Sequence, residues 1–237
     1  MIHNKLCAYC RVEFKKVQND PDSRTVEHLI PNSLTLKKRN NNLGDFYACK
    51  RCNSHKSMMD NLIGKISKFQ SFDSTLAYNA MNKEDIKKKK NTRLKFTLEG
   101  IKRGDRNIHL PFNGEELYSY MEYLGKGQYL KKTGKIFSKS NLVMKFTYIN
   151  KEANILFTDE YKKKKDTNNF DDLLKNNYTE KVGNGECMIY SKENHEYMFV
   201  FHHHTIISIE IYKSTHKTRK IALKNKKKIL DDFSKKC

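Results

Sequence analysis

Four cysteines constrain this chain more than any other feature. Cys7-Ala8-Tyr9-Cys10 and Cys49-Lys50-Arg51-Cys52 share one spacing, with two residues between the sulfurs. That spacing lets both thiolates of a pair turn onto one tetrahedral zinc ion at about 2.3 Å. Two such pairs complete a four-sulfur ligand set. Residues 1–10 lack the apolar stretch of a secretory signal, so the pairs read as a structural zinc site rather than a disulfide framework; a redox dithiol is the alternative. Cys187, in the apolar run Cys187-Met188-Ile189-Tyr190, is expected in the core, and Cys237 is the last residue.

Charge narrows the class of partner. Lys and Arg number 47 against 27 Asp and Glu, a formal net charge of +20. A strongly basic chain needs an anionic partner, and nucleic acid is the commonest one. The competing reading is a solvated lysine-rich surface. No run reaches the roughly 18 apolar residues of a membrane span, so the expectation is a cytoplasmic protein with no membrane partner.

The periodicities predict an α+β chain of two parts. Residues 1–72 hold the cysteine pairs, and residues 91–237 form a basic, antiparallel-strand-rich α+β domain, with 73–90 as linker or helix. Apolar residues at steps of three and four, among them Leu62, Ile63, Ile66 and Phe69, predict a helix leaving the second cysteine pair. Leu94 to Leu98 alternates and predicts a half-buried strand. Asn113 followed by Glu115 and Glu116 reads as a helix start, with Leu117, Tyr120, Met121 and Leu124 on one face and Gly125 as its stop. Leu142–Ile149, Ile155–Thr158, Met188–Tyr190, Tyr197–His202 and Thr205–Tyr212 read as strands, Phe170–Leu174 as a short helix, and the tail after Lys213 as an amphipathic helix. In His202-His203-His204, a strand would set the first and third rings on one face; exposed polar residues or phosphate contacts are expected there.

Between and after the cysteine pairs stand Val26-Glu27-His28-Leu29-Ile30-Pro31, Asn40-Asn41-Asn42-Leu43 and Cys52-Asn53-Ser54-His55-Lys56. On a strand, Glu27 and His28 point to opposite faces. An imidazole with an ordinary pKa near 6.5 is largely neutral at pH 7 and can take a proton from water. Cleaving a phosphodiester requires such a base together with a cation, because the substrate is itself an anion. An isolated Glu-His pair would read as a surface acid beside a turn histidine; the flanking cysteines and asparagines favour chemistry.

In this order, the segments resemble the HNH endonucleases, the ββα-metal fold, in the subgroup whose pattern runs CxxC, EHxxP, NL and CxxCNxxK. The resemblance covers about residues 5 to 60. It implies a DNA phosphodiesterase leaving 5′-phosphate and 3′-hydroxyl ends, with His28 as general base. Glu27 and Asn53 would hold a catalytic Mg²⁺ or Mn²⁺, Asn42 would orient the base, and zinc on Cys7, Cys10, Cys49 and Cys52 would be structural only. Lys56 would touch phosphate, and His55 phosphate or water; Lys50 and Arg51, inside the second cysteine pair, join them as nucleic-acid contacts. DNA is the expected partner, with a second copy or another protein compatible with double-strand cutting. Restriction, phage defence and mobile elements are the settings implied. The competing function is a zinc-stabilised nucleic-acid-binding protein without catalysis.

Overall fold

A short β-ribbon flows into a long helix at the N-terminal end. Strand β1 (Arg24–Glu27) pairs antiparallel with β2 (Phe46–Cys49), Glu27 opposite Phe46 and Arg24 opposite Cys49. Helix α1 (Lys50–Phe69) leaves β2 with no intervening loop. It buries Cys52, Lys56, Met59, Ile63 and Ile66, steps of three and four that keep one stripe toward the ribbon. A single 3-10 turn at Asn32–Leu34 follows β1 and packs under α1. This computed structural model describes residues 1–17, 19–35, 43–69, 74–86, 92–103, 110–149, 178–183, 186–192, 195–202 and 205–234.

Three helices follow: α2 (Ser74–Ile86), α3 (Thr92–Arg103) and α4 (Gly114–Thr133). Next come β3 (Leu142–Ile149), β4 (Tyr178–Val182), β5 (Cys187–Ser191), β6 (Glu196–Phe201), β7 (Thr205–Lys213) and helix α5 (His216–Ser234). The five strands form one antiparallel sheet in the order β3-β7-β6-β5-β4. The chain is therefore α+β, with the four-cysteine cluster near its N-terminus. Among the described residues, no helix is long and apolar enough to cross a membrane.

Helix α4 is the beam that joins ribbon and sheet. Its start carries a capping box: Asn113 accepts from the Glu116 amide at 2.9 Å, and the Glu116 carboxylate accepts from the Asn113 amide at 3.0 Å. The expected stop at Gly125 does not occur; the helix runs on to Thr133, and Gly134 closes it with φ +68°. Gly125 serves close approach instead. A Cβ there would lie 2.9 Å from Met144 Sδ, and one at Gly127 would lie 2.5 Å from Leu29 Cδ1. These two glycines let the helix axis touch the sheet and the ribbon at once. One apolar cluster consequently runs from Leu29 and Phe46 through Met59, Tyr120 and Leu124 to Ile207 and Ile209. It crosses the boundary expected near 73–90.

Leu94 to Leu98 is helical, inside α3, rather than a strand. Leu94, Thr97 and Leu98 are buried while Phe96 is 64% exposed, a spacing of three and four. Five residues are too few to separate that period from alternation. His202 is buried, and its Nε2 lies 3.0 Å from the Leu34 carbonyl oxygen; the expected exposure fails because the turn after β1 packs against this strand end. Cys187 is buried as expected and donates its thiol to the same oxygen at 3.3 Å. The readings made for Asn42, Ile155–Thr158, Phe170–Leu174, His203, His204 and Cys237 lie outside the described residues.

Candidate functional site

The four cysteine sulfurs converge. Cys7, Cys10, Cys49 and Cys52 place their Sγ atoms within 4.8 Å of one another, with Cys10 and Cys49 3.7 Å apart. Tetrahedral zinc with 2.3 Å bonds requires sulfurs about 3.8 Å apart, so the cluster fits that ion. It is the only such metal-binding group among the described residues. Cys7 accepts backbone N–H groups from Tyr9 at 3.4 Å and Cys49 at 3.3 Å. Its thiol is pulled down to about 4, first by the hydrogen bond with Cys52 and then, against burial, by backbone donors. Burial pushes Cys49 up to about 11, and the bond to Cys7 drives Cys52 upward.

Glu27 ends β1, and His28 is the first residue beyond it. Glu27 points inward at 2% exposure, while Val26 is 46% exposed and His28 half-buried. The Nδ1 of His28 is enclosed by protein, and the residue as a whole is half-buried. The turn carrying this ring is held from several directions. Lys56 Nζ donates to the His28 carbonyl at 3.2 Å, Asp45 Oδ2 accepts from the Leu29 amide at 2.9 Å, and Lys68 donates to the Ser33 carbonyl at 3.0 Å.

Asn53 lies in the first turn of α1, because the helix begins inside the cysteine pair at Lys50. Its side-chain amide donates to the Val26 carbonyl at 3.0 Å and to Thr25 Oγ1 at 2.9 Å. These bonds clamp the helix start to β1, the strand that ends just before His28. Its Nδ2 is thereby committed to β1, and its Oδ1 is the atom left to meet a cation.

Lys56 requires a correction. It is 0% exposed and reaches no phosphate; its ammonium lies 3.0 Å from Glu27 Oε1 and 2.9 Å from Asp60 Oδ2. The i,i+4 position of Asp60 brings that carboxylate onto the lysine's own face of α1. Tyr120 of α4 donates to Asp60 Oδ1 at 2.9 Å, and the Tyr9 hydroxyl stands against Glu27. Burial raises the pKa of both carboxyls, with the Lys56 cation working against it. Burial also opposes the Lys56 charge, but Asp60 and Glu27 outweigh it and hold the ammonium above its usual value. One cation between two buried acids favours one ion pair plus one protonated carboxyl.

The same geometry corrects the ligand role of Glu27. The structure brings its carboxylate to Lys56 rather than to Asn53, and a divalent ion at Glu27 would sit beside a buried ammonium. Glu27 and Asn53 as they stand do not fit a shared Mg²⁺ or Mn²⁺. The remaining candidates lie near the surface. His55 Nδ1 is 3.2 Å from the Tyr123 hydroxyl, Lys50 donates to Asn19 at 2.9 Å, and Arg51 pairs with Asp22 at 3.0 Å.

Asp60, Tyr120 and Asp45 were not anticipated from the sequence. The Lys56-to-Asp60 spacing was the one available signal; Tyr120 and Asp45 join the site only through folding. Comparison with protein-family models, with curated proteins and with solved structures returns no match.

Proposed function

We propose that this chain is an HNH-type endonuclease that hydrolyses DNA phosphodiesters, with zinc on Cys7, Cys10, Cys49 and Cys52 as a structural staple. The observation that carries the reading is the clamp of Asn53 onto Val26 and Thr25, which fixes the start of α1 beside the end of β1 where His28 emerges. The antiparallel ribbon running straight into a helix, with the two cysteine pairs meeting at that junction, supports it further.

In this reading, His28 takes a proton from water as the water oxygen attacks phosphorus. The bond from phosphorus to the 3′ oxygen breaks, that oxygen takes a proton from solvent, and the products carry 5′-phosphate and 3′-hydroxyl ends. A divalent ion, when bound, would offset the charge of the phosphorane; the Oδ1 of Asn53 is the protein oxygen available to it, and Glu27 supplies none. Glu27, Lys56 and Asp60 act on the His28 carbonyl and hold the ring's backbone in place.

The test is nicking of supercoiled plasmid in Mg²⁺ or Mn²⁺ by the wild type, His28→Ala and Asn53→Ala. Loss of a general base should cost about 10²- to 10⁴-fold. Equal cutting by wild type and His28→Ala, or no cutting in either ion, sinks the proposal. The second reading, a zinc-stabilised nucleic-acid binder without catalysis, draws on one observation: the buried pairing of Glu27 with Lys56, which keeps that carboxylate from the open face. It expects tight DNA binding with no nicking at all.

A further inference from the structure

A groove of about 800 Å³ runs over the outer side of the ribbon, and among the described residues five cations and no carboxylate line it: Lys5, Lys15, Lys16, Arg24 and Lys50. They come from four separate pieces of chain: the N-terminal arm, the loop before β1, β1 itself and the first residue of α1. Asp20 and Asp22 stand nearby, engaged with Lys15 and Arg51. Like charges gathered from separate segments repel one another, and an anion lying among them relieves that repulsion.

The groove is built before any ligand arrives. Asn4 clips the arm to β2, donating from Nδ2 to the Tyr47 carbonyl at 2.8 Å and accepting from the Tyr47 amide at 2.8 Å. The Ile2 amide donates to the Asp45 carbonyl at 2.8 Å. On the opposite wall, the Lys15 amide donates to the Asp22 carbonyl at 3.2 Å and Lys15 bridges to Ser23. Preformed walls spare a ligand the cost of ordering them.

Aromatic rings alternate with the cations. Tyr47, half-buried, meets Phe14 edge-on at 6.5 Å and His3 at 5.7 Å, and the Arg24 guanidinium lies 4.6 Å over the Tyr47 ring. A cationic track with aromatic rings set into it, Tyr47 with a guanidinium stacked on it, suits phosphates and unstacked bases together. A duplex keeps its bases stacked inside and has no use for rings between the cations. Thr25 lines the groove and also receives the Asn53 amide, so the track ends beside the residues assigned above to cleavage.

We propose that this groove binds single-stranded nucleic acid, its phosphates on Lys5, Lys16, Arg24 and Lys50 and its bases against Tyr47, and leads the strand to Asn53 and His28. Only the leading of the strand to those residues rests on the endonuclease reading; the binding itself does not. The test is fluorescence anisotropy of a fluorescein-labelled 20-nucleotide DNA strand, and of the same sequence as a duplex. The protein is the full zinc-loaded His28→Ala chain, with no Mg²⁺ or Mn²⁺ added and salt varied. Lys5→Glu, Lys16→Glu and Arg24→Glu together should weaken single-strand binding at least tenfold and lower the log–log salt slope by about 2, near 0.7 per cation removed. Tyr47→Leu keeps the apolar fill and should weaken the single strand several-fold. The same reversal at Lys217, Lys220 and Lys224, exposed on α5, should leave affinity within about twofold. Equal losses from the two charge reversals overturn the proposal, and so does a loss confined to the duplex. Binding is read in a cleavage-dead chain, so the groove can fail while plasmid nicking stands, and the reverse.

Discussion

Replacing Lys56 by Met removes the cation of the Lys56–Glu27–Asp60 cluster buried between β1, α1 and α4. The side chain it replaces is fully enclosed and lies within 3.0 Å of Glu27 and 2.9 Å of Asp60. Breaking a buried pair from one side costs about 3–5 kcal/mol, which lowers the melting temperature by roughly 6–20 °C for a chain of this size. The pH dependence follows from proton count. With Lys56 present, one acid can stay ionised; without it, both must be neutral, so the folded variant binds about one more proton than the folded wild type. Each bound proton changes stability by about 1.4 kcal/mol per pH unit. Burial already raises the carboxyls of Glu27 and Asp60 in the wild type. Raised acids contribute stability below their unfolded range and lose it as pH climbs through their folded values, so the penalty must grow with pH. Urea unfolding of wild type and Lys56→Met, followed by circular dichroism at pH 6 and pH 8, should show a penalty larger by about 3 kcal/mol at pH 8. Glu27→Gln and Asp60→Asn added to Lys56→Met should restore most of the loss, because no ion then remains buried. A penalty below about 1 kcal/mol, or one equal at both pH values, would refute the picture of a buried ammonium held by two acids.

Two further outcomes bear on the scaffold. Elemental analysis should find one zinc per chain, and stripping it with a strong chelator should unfold the ribbon, visible as loss of near-ultraviolet dichroism and a large drop in melting temperature; an unchanged spectrum after complete zinc loss rejects the structural role. Gly64→Ala would set a Cβ 2.5 Å from the Ser33 carbonyl oxygen and 3.3 Å from Leu34 Cα. It should destabilise by about 1–3 kcal/mol through overpacking and slow nicking by shifting the turn behind His28; wild-type melting would show that α1 does not press on that turn.

Local signals carried a good part of this chain. The cysteine spacing marked the sulfur cluster because two residues between ligands is a property of the backbone alone. Asn113 with Glu116 marked a helix start for the same reason, since a capping box closes within one turn. Strands β3, β5, β6 and β7 were visible because long apolar runs have no other use in a chain with so few of them.

Tertiary structure decided which face became the inside, and that choice reversed two roles. Glu27 and Lys56 look like surface groups in the sequence, one an acid beside a histidine and the other a lysine in a basic segment. The packing of α4 across the ribbon buries both, and a buried charge must find an opposite one; Asp60, one helical turn on from Lys56, and Tyr120, from a helix distant in the chain, complete the set. Gly125 reads as a helix stop, yet it and Gly127 serve contact with partners distant in the chain. The basic groove likewise exists only once the arm, loop, strand and helix start stand side by side. A sequence specifies spacing along the chain, whereas solvent access and long-range neighbours are properties of the packed whole.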